Sequence, residues 1–217
     1  MRHTGRVQDG KFRRNKNDNA YTEREKMMGG VSVLPQLYDL FYSGDIGMKL
    51  ELAGRFFRLH GEELAQDSQV AAGMTDLRGL HQALRQQMLV MEMDRTCTRC
   101  AQGSGGGCCS VAFAAETDVV QLLMNMLAGV VVDIQQSNGI YCCYLGEKGC
   151  IFLFKPIFCL NYNCSIITLG GWRDNLRKLE KLTGLLLRTQ QNVENRIIDF
   201  FKGKTALSKS CSSNAQA

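Results

Sequence analysis

The chain has 217 residues, of which 45% are hydrophobic and 22% charged, with only two prolines, so its composition predicts a packed core and excludes a disordered chain. Residues 1–28 hold eight basic and four acidic side chains, and the other 189 residues hold 18 basic and 17 acidic ones. Most of the net charge of +5 therefore lies in the first 28 residues, which argues against nucleic-acid binding by the folded body.

No apolar segment reaches the roughly 18 to 20 residues of a membrane-spanning helix, so we expect no membrane segment. The richest candidate, residues 119–134, is interrupted by Gln121, Asn125 and Asp133. The N-terminus is polar and lacks the apolar stretch of a secretory signal. We therefore expect a cytoplasmic protein, in a reducing compartment where clustered cysteines more often bind metal or act in redox chemistry than form disulfides.

Residues 1–28 show no apolar periodicity, and we expect a basic disordered arm. Three helices are predicted next from apolar spacing. They are residues 34–42, residues 45–66 with Asp45 as N-cap, and a helix that begins near Thr75 as N-cap and continues to the first cysteine. A fourth helix is expected over residues 117–128, ended by Gly129.

Short antiparallel strands are predicted after the fourth helix. Residues 130–135 and 140–145 flank Ser137-Asn138-Gly139, a strong hairpin signal, and a third strand is expected at residues 150–154, ended by Pro156. Side chains alternate along a strand, so Cys142 and Tyr144 would face one side and Cys143 the other.

The last predicted element is a long helix over residues 171–202, followed by a disordered tail at residues 203–217. Apolar residues recur every seven positions along this helix, but Thr183 and Gln190 interrupt the seam. We favour packing on the chain's own helices, with a homodimer through residues 171–202 as the alternative. The expected fold is α+β, mainly α: one helical domain over residues 29–202 that contains a cysteine-rich, metal-binding insert at residues 97–164.

Nine of the ten cysteines lie between residues 97 and 164. A Cys-x2-Cys pair, Cys97 and Cys100, precedes a spacer with four glycines, which would let the backbone wrap around a metal centre. No histidine lies in this stretch, so the ligands would be essentially all sulfur, which leaves zinc, an iron–sulfur cluster or copper(I). Disulfides and unliganded thiols are the alternatives. His60 and His81, on the preceding helices, are more typical of ordinary histidines than of ligands.

The ordered motifs Cys97-x2-Cys100, Cys108-Cys109, Cys142-x-Tyr144-Leu145, Cys150-Ile151, and Lys155-Pro156-x2-Cys159 resemble the YkgJ-type family of zinc- or iron-chelating CxxCxxCC proteins. The resemblance covers residues 97–164 and implies a bound zinc or iron–sulfur centre. Carried over position by position, with Cys164 added for its proximity, it implies eight ligands: Cys97, Cys100, Cys108, Cys109, Cys142, Cys150, Cys159 and Cys164. Cys143 and Cys211 have no clear counterpart. The spacer before Cys108 is longer than in the family, and Lys155 replaces the usual arginine.

These patterns predict a cytoplasmic protein that coordinates zinc or an iron–sulfur cluster through clustered cysteines. Two other classes remain open. One is a cluster-dependent enzyme for redox chemistry or methyl transfer, distantly similar to flagellin lysine methylases. The other is a protein-interaction module stabilised by its metal, with a partner that the sequence does not identify.

Overall fold

The computed structural model describes residues 33–102, 108–135, 139, 141–146, 149–161, 163–170 and 173–213. The predicted arm of residues 1–28 lies outside this part of the chain. Within it the fold is mainly helical with one small antiparallel sheet, which confirms the predicted class. None of the helices in these ranges is both long enough and apolar enough to cross a membrane.

Three helices precede the cysteine-rich region: α1 (Val33–Tyr42), α2 (Ile46–Gln66) and α3 (Ser68–Val90). As predicted, Asp45 is the N-cap of α2, and its side chain accepts a hydrogen bond from Met48 N at 2.8 Å. An N-terminal aspartate stabilises a helix because the first backbone N–H groups have no partner within the helix.

The predicted start of α3 near Thr75 is wrong. The helix begins at Ser68, and Asp67 caps it by accepting hydrogen bonds from the backbone N–H groups of Gln69 and Val70. The Thr75 hydroxyl donates instead to Ala71 O at 3.0 Å. A hydrogen bond to the carbonyl oxygen four residues earlier is typical of a threonine inside a helix. Thr75 is therefore not the N-cap of α3.

Helix α3 does not continue to the first cysteine. Met91 and Glu92 separate it from α4 (Met93–Gln102), and Glu92 has a φ of +49°. This left-handed conformation interrupts an α-helix and costs energy for a residue other than glycine. Cys97 and Cys100 therefore lie on a short helix of their own.

Two further helices follow the spacer: α5 (Val111–Ala115), which the sequence did not predict, and α6 (Val119–Leu127). Asp118 caps α6 by accepting from Gln121 N at 2.7 Å, and Gly129 follows the helix with a φ of +87°. The helix predicted over residues 117–128 is therefore confirmed. Residues 119–125 are all buried, so α6 forms the centre of the fold.

The strands are shorter than predicted and pair differently. The sheet consists of β1 (Leu145–Gly146) and β2 (Gly149–Cys150), with Leu145 opposite Cys150. The predicted hairpin around residues 137–139 is wrong, because residues 130–135 form no strand. One backbone hydrogen bond, from Gln135 N to Cys143 O, links the two expected strands in their described parts. Residues 142–144 precede the sheet, so strand alternation does not apply there, and Cys143 and Tyr144 are both buried.

The chain ends with α7 (Ile157–Asn161), α8 (Ser165–Thr168) and α9 (Arg173–Ser213). The predicted tail from residue 203 is corrected: the helix continues to Ser213. Helix α9 packs along α3, while α2 packs on α6. The heptad face is buried in this packing, as the favoured alternative predicted, at Leu179, Thr183, Leu186, Gln190, Val193 and Ile197. A homodimer through residues 171–202 stays a prediction.

Candidate metal centre

Four segments carry the eight predicted ligands. They are α4, the pair Cys108-Cys109, the β1–β2 hairpin with the turn before it, and the α7–α8 region. Backbone hydrogen bonds join two of them: Cys142 N donates to Cys109 O at 3.0 Å, and Ser110 forms a β-bridge with Tyr141. The vicinal cysteines and the hairpin are thus fixed side by side.

Cys97 and Cys100 are three residues apart on α4 and exposed. Residues at positions i and i+3 of a helix are neighbours on one face. The pair therefore lies on one face of α4. Cys159 lies within α7, and Cys164 is the N-cap residue of α8.

The thiols act on one another electrostatically. Partial desolvation of its thiol, followed by the charges of Cys108 and Cys164, raises the pKa of Cys97. Burial, followed by the charges of Cys150 and Cys142, raises the pKa of Cys159 to about 12. These effects link thiols that lie far apart in the sequence, so the fold brings them into one neighbourhood.

In the vicinal pair, the pKa of Cys108 is lowered, whereas the pKa of Cys109 is raised. The Cys109 thiol donates a hydrogen bond to the Cys108 sulfur and lowers the pKa of Cys108 to about 6. The pKa of Cys109 is raised by the same hydrogen bond, by burial, and by the charges of Cys108, Cys150 and Cys142. The lowered pKa favours the thiolate form of Cys108, which is the form that binds metal.

Lys155 provides positive charge to this cluster. Its ammonium group acts on Cys97, Cys108 and Cys159, in each case favouring the thiolate.

Three buried amides hold the segment between Cys150 and Cys159, which we call the ligand arm. From α6, Gln121 Nε2 and Asn125 Nδ2 both donate to Phe154 O, at 2.6 and 2.8 Å. From α9, Gln190 Nε2 donates to Lys155 O at 3.1 Å. The sequence analysis did not predict this role. Amides at core positions of apolar helices are nevertheless a signal in the sequence, because a buried polar group needs a hydrogen-bond partner.

The remaining candidates are Cys143, His60, His81 and Cys211. Cys143 is buried, and its charge acts on Cys142 and Tyr144. His60 packs edge to face on Phe200 and Phe201, as an ordinary histidine does. Burial, followed by the charges of Lys155 and Arg85, lowers the pKa of His81. The side chain of Cys211 lies outside the described residues.

The thiols are neighbours without being arranged as ligands. In the part of the chain that the structure describes, no three His, Cys, Asp or Glu side chains stand in a geometry that would hold a metal ion. None of the nine cysteines in residues 97–164 forms a disulfide. Comparisons of this chain with protein-family models, with curated proteins and with solved structures found no match.

Proposed function

We propose that this protein binds a thiolate-ligated metal centre, either zinc or an iron–sulfur cluster, in the cytoplasm. The observation that carries the proposal is that thiols from four segments of the chain act electrostatically on Cys97, Cys109 and Cys159. Soft thiolate ligands select zinc, copper(I) and iron–sulfur clusters over magnesium or calcium. The resemblance to the YkgJ-type family rests on the same cysteines and favours zinc or a cluster.

The chemistry of the donor set fits such a centre. Thiols whose pKa is raised by burial and by neighbouring thiols hold protons that a cation displaces. The hydrogen bond from Cys109 favours the thiolate form of Cys108, and the Lys155 ammonium offsets part of the negative charge of a multi-thiolate site. The described thiols are not in ligand geometry, so binding requires rotation of their side chains.

The two centres would give the protein different roles. Zinc would hold the four segments together, whereas a cluster would also supply electron transfer. In either case the protein's own residues supply the thiolates, the charge of Lys155 and the hydrogen bonds of the ligand arm.

The first experiment is elemental analysis with an absorption spectrum on anaerobically purified protein. Stoichiometric zinc in a colourless sample, or iron with acid-labile sulfide and broad visible absorption, supports the proposal and identifies the centre. Absence of both metals, with all cysteines of residues 97–164 reacting as thiols, contradicts it.

A pair of variants tests which thiols are ligands. Cys97→Ser is expected to lower the metal content, because serine is a poor ligand for a soft metal. Cys143→Ser is the matched control: it changes the same atom next to a predicted ligand, and is expected to leave the metal content unchanged. Equal metal content in both folded variants and in the wild type would remove Cys97 from the ligand set.

A further inference from the structure

Two rigid helices contact the ligand arm near its midpoint. Phe154 is fully buried, and its carbonyl oxygen accepts two hydrogen bonds, from Gln121 and Asn125 of α6. Phe154 N also donates to Asn125 Oδ1 at 3.1 Å. One Asn125 amide thus pairs with both the donor and the acceptor of Phe154, as a neighbouring β-strand would.

The helix α9 adds a third contact one residue later. Gln190 Nε2 donates to Lys155 O, while Gln190 Oε1 is buried and has no hydrogen-bond partner among the described residues. Leaving a buried amide oxygen without a partner destabilises the fold, because the oxygen has lost its hydrogen bonds to water. Apolar residues of similar size would avoid this cost, so core packing does not explain the amide at residue 190.

The position of these contacts along the chain offers an explanation of the buried amides other than core packing. Phe154 lies four residues after Cys150, and Lys155 lies four residues before Cys159. Fixing the backbone at these two residues limits where both flanking cysteines are held. Outer-shell hydrogen bonds of this kind orient ligands and tune the affinity of a metal site.

We propose that Asn125, together with Gln121 and Gln190, is a positioning residue for the metal centre: it fixes the ligand arm so that Cys150 and Cys159 approach the metal together. This inference rests on the proposed function. The competing role is purely structural, in which the amides only satisfy buried backbone groups of Phe154 and Lys155.

The variants are Asn125→Leu and Gln190→Leu, with Gln87→Leu as matched control. Gln87 is also a buried amide, and its Nε2 donates to the O and Oδ1 atoms of Asn175, both at 3.1 Å, away from the ligand arm. Gln190→Leu removes an unsatisfied oxygen together with one hydrogen bond, so we expect it to fold even if Asn125→Leu does not. Circular dichroism and thermal unfolding establish the folded state of each variant.

The probe is Co²⁺, added anaerobically to metal-free protein and followed by its thiolate charge-transfer absorption. We expect Asn125→Leu to weaken Co²⁺ binding roughly tenfold to a hundredfold and to alter the absorption band, with a smaller effect for Gln190→Leu. Gln87→Leu is expected to lower the unfolding temperature and leave both Co²⁺ readouts unchanged.

Hydrogen exchange on the metal-free proteins gives a readout that does not involve metal. Amides of residues 150–159 are expected to exchange faster in Asn125→Leu and Gln190→Leu than in the wild type and in Gln87→Leu. If the wild type binds Co²⁺ and both folded arm variants bind it with the same affinity and spectrum, the positioning role is wrong. If the wild type binds neither Co²⁺, zinc nor iron, the proposed function itself fails.

Discussion

Arg196 of α9 donates to both carboxylate oxygens of Asp67, from Nε to Oδ1 at 3.2 Å and from Nη2 to Oδ2 at 2.6 Å. Asp67 is the residue at which α2 ends and α3 begins, and Oδ1 also accepts from the first backbone N–H groups of α3. One carboxylate therefore joins three helices. The hydrogen bond from Arg196, followed by those from the backbone, lowers the pKa of Asp67 to about 2.

Because the folded-state pKa of Asp67 is depressed, its ionised form stabilises the fold above about pH 4 and loses that effect as the pH falls towards 2. Asp67→Ala should cost about 1 kcal/mol of unfolding free energy at pH 7 through the lost cap. Asp67→Asn retains a capping oxygen and should therefore cost less than Asp67→Ala, although it loses the charge that pairs with Arg196. Urea unfolding at pH 7, 4 and 2 measures these differences. A cost of Asp67→Ala that is equal at pH 7 and pH 2 would contradict the assigned role.

The close approach of α3 and α9 depends on Gly73. A Cβ atom at this position would overlap the Cγ2 atom of Val193. We expect Gly73→Ala to destabilise the protein by about 1–3 kcal/mol, because overpacking forces the helices apart. In a Val193→Ala background the same substitution should cost much less, which a double-mutant cycle measures.

Gly79 provides the control on the same helix, since a Cβ atom there would have no neighbour within 4 Å. Gly79→Ala should stabilise the protein by about 0.5–1 kcal/mol through helix propensity alone. Equal effects of the two glycine substitutions would mean that the interface does not require Gly73.

Asp118 shows a pKa shift of the opposite sign. Burial, with a further contribution from Glu194, raises its pKa to about 6. Its protonated form therefore favours folding below about pH 4, and this advantage is lost as the pH rises through 6. Asp118→Asn keeps the oxygen that accepts from Gln121 N and removes the charge. We expect a gain of up to about 2 kcal/mol at pH 7 and none at pH 3, measured by urea unfolding. A loss of stability at pH 7 would show that the charge is needed, for example by Lys49.

Metal affinity should rise steeply with pH. Burial, with a contribution from Cys150, raises the pKa of Cys142 to about 11, and the pKa of Cys159 is about 12, so both thiols are protonated at pH 7. Each proton released on binding increases the affinity roughly tenfold per pH unit. A ligand set of Cys108 and three protonated thiols should gain roughly a thousandfold between pH 7 and 8. Competition with a chelator at each pH measures the slope, and a flat profile would indicate ligands that are already ionised.

Much of the helical fold could be predicted because its signals are local. Asp45 and Asp118 each precede an apolar periodic run, and both cap the helix that follows. The break at Glu92 was missed since no glycine or proline marks it, and its φ of +49° is set by the surrounding structure. The hairpin around Gly139 was predicted wrongly: Gly139 has the expected positive φ, of +72°, but turn chemistry alone does not supply a strand partner.

The candidate site could be predicted only in part. The resemblance to the YkgJ-type family indicated eight cysteines as ligands, and that assignment stays a prediction. The hydrogen bonds of Gln121, Asn125 and Gln190 connect residues about 30 positions apart or more. In the sequence, Gln121 and Asn125 only interrupt an apolar run, and Gln190 only interrupts a heptad seam. The carbonyl groups to which these amides donate, those of Phe154 and Lys155, are identified only by the structure.

The ligand arm is contacted by a residue that the ribosome adds after all nine clustered cysteines. Cys97, Cys100 and Cys108 are synthesised well before Cys159, and Gln190 follows later still. Protein chains begin to fold from the N-terminus during synthesis, so a nascent chain carries its first thiols before their partners exist. A chain that stops before Gln190 would therefore carry all nine clustered cysteines without the hydrogen bond that α9 donates to the ligand arm.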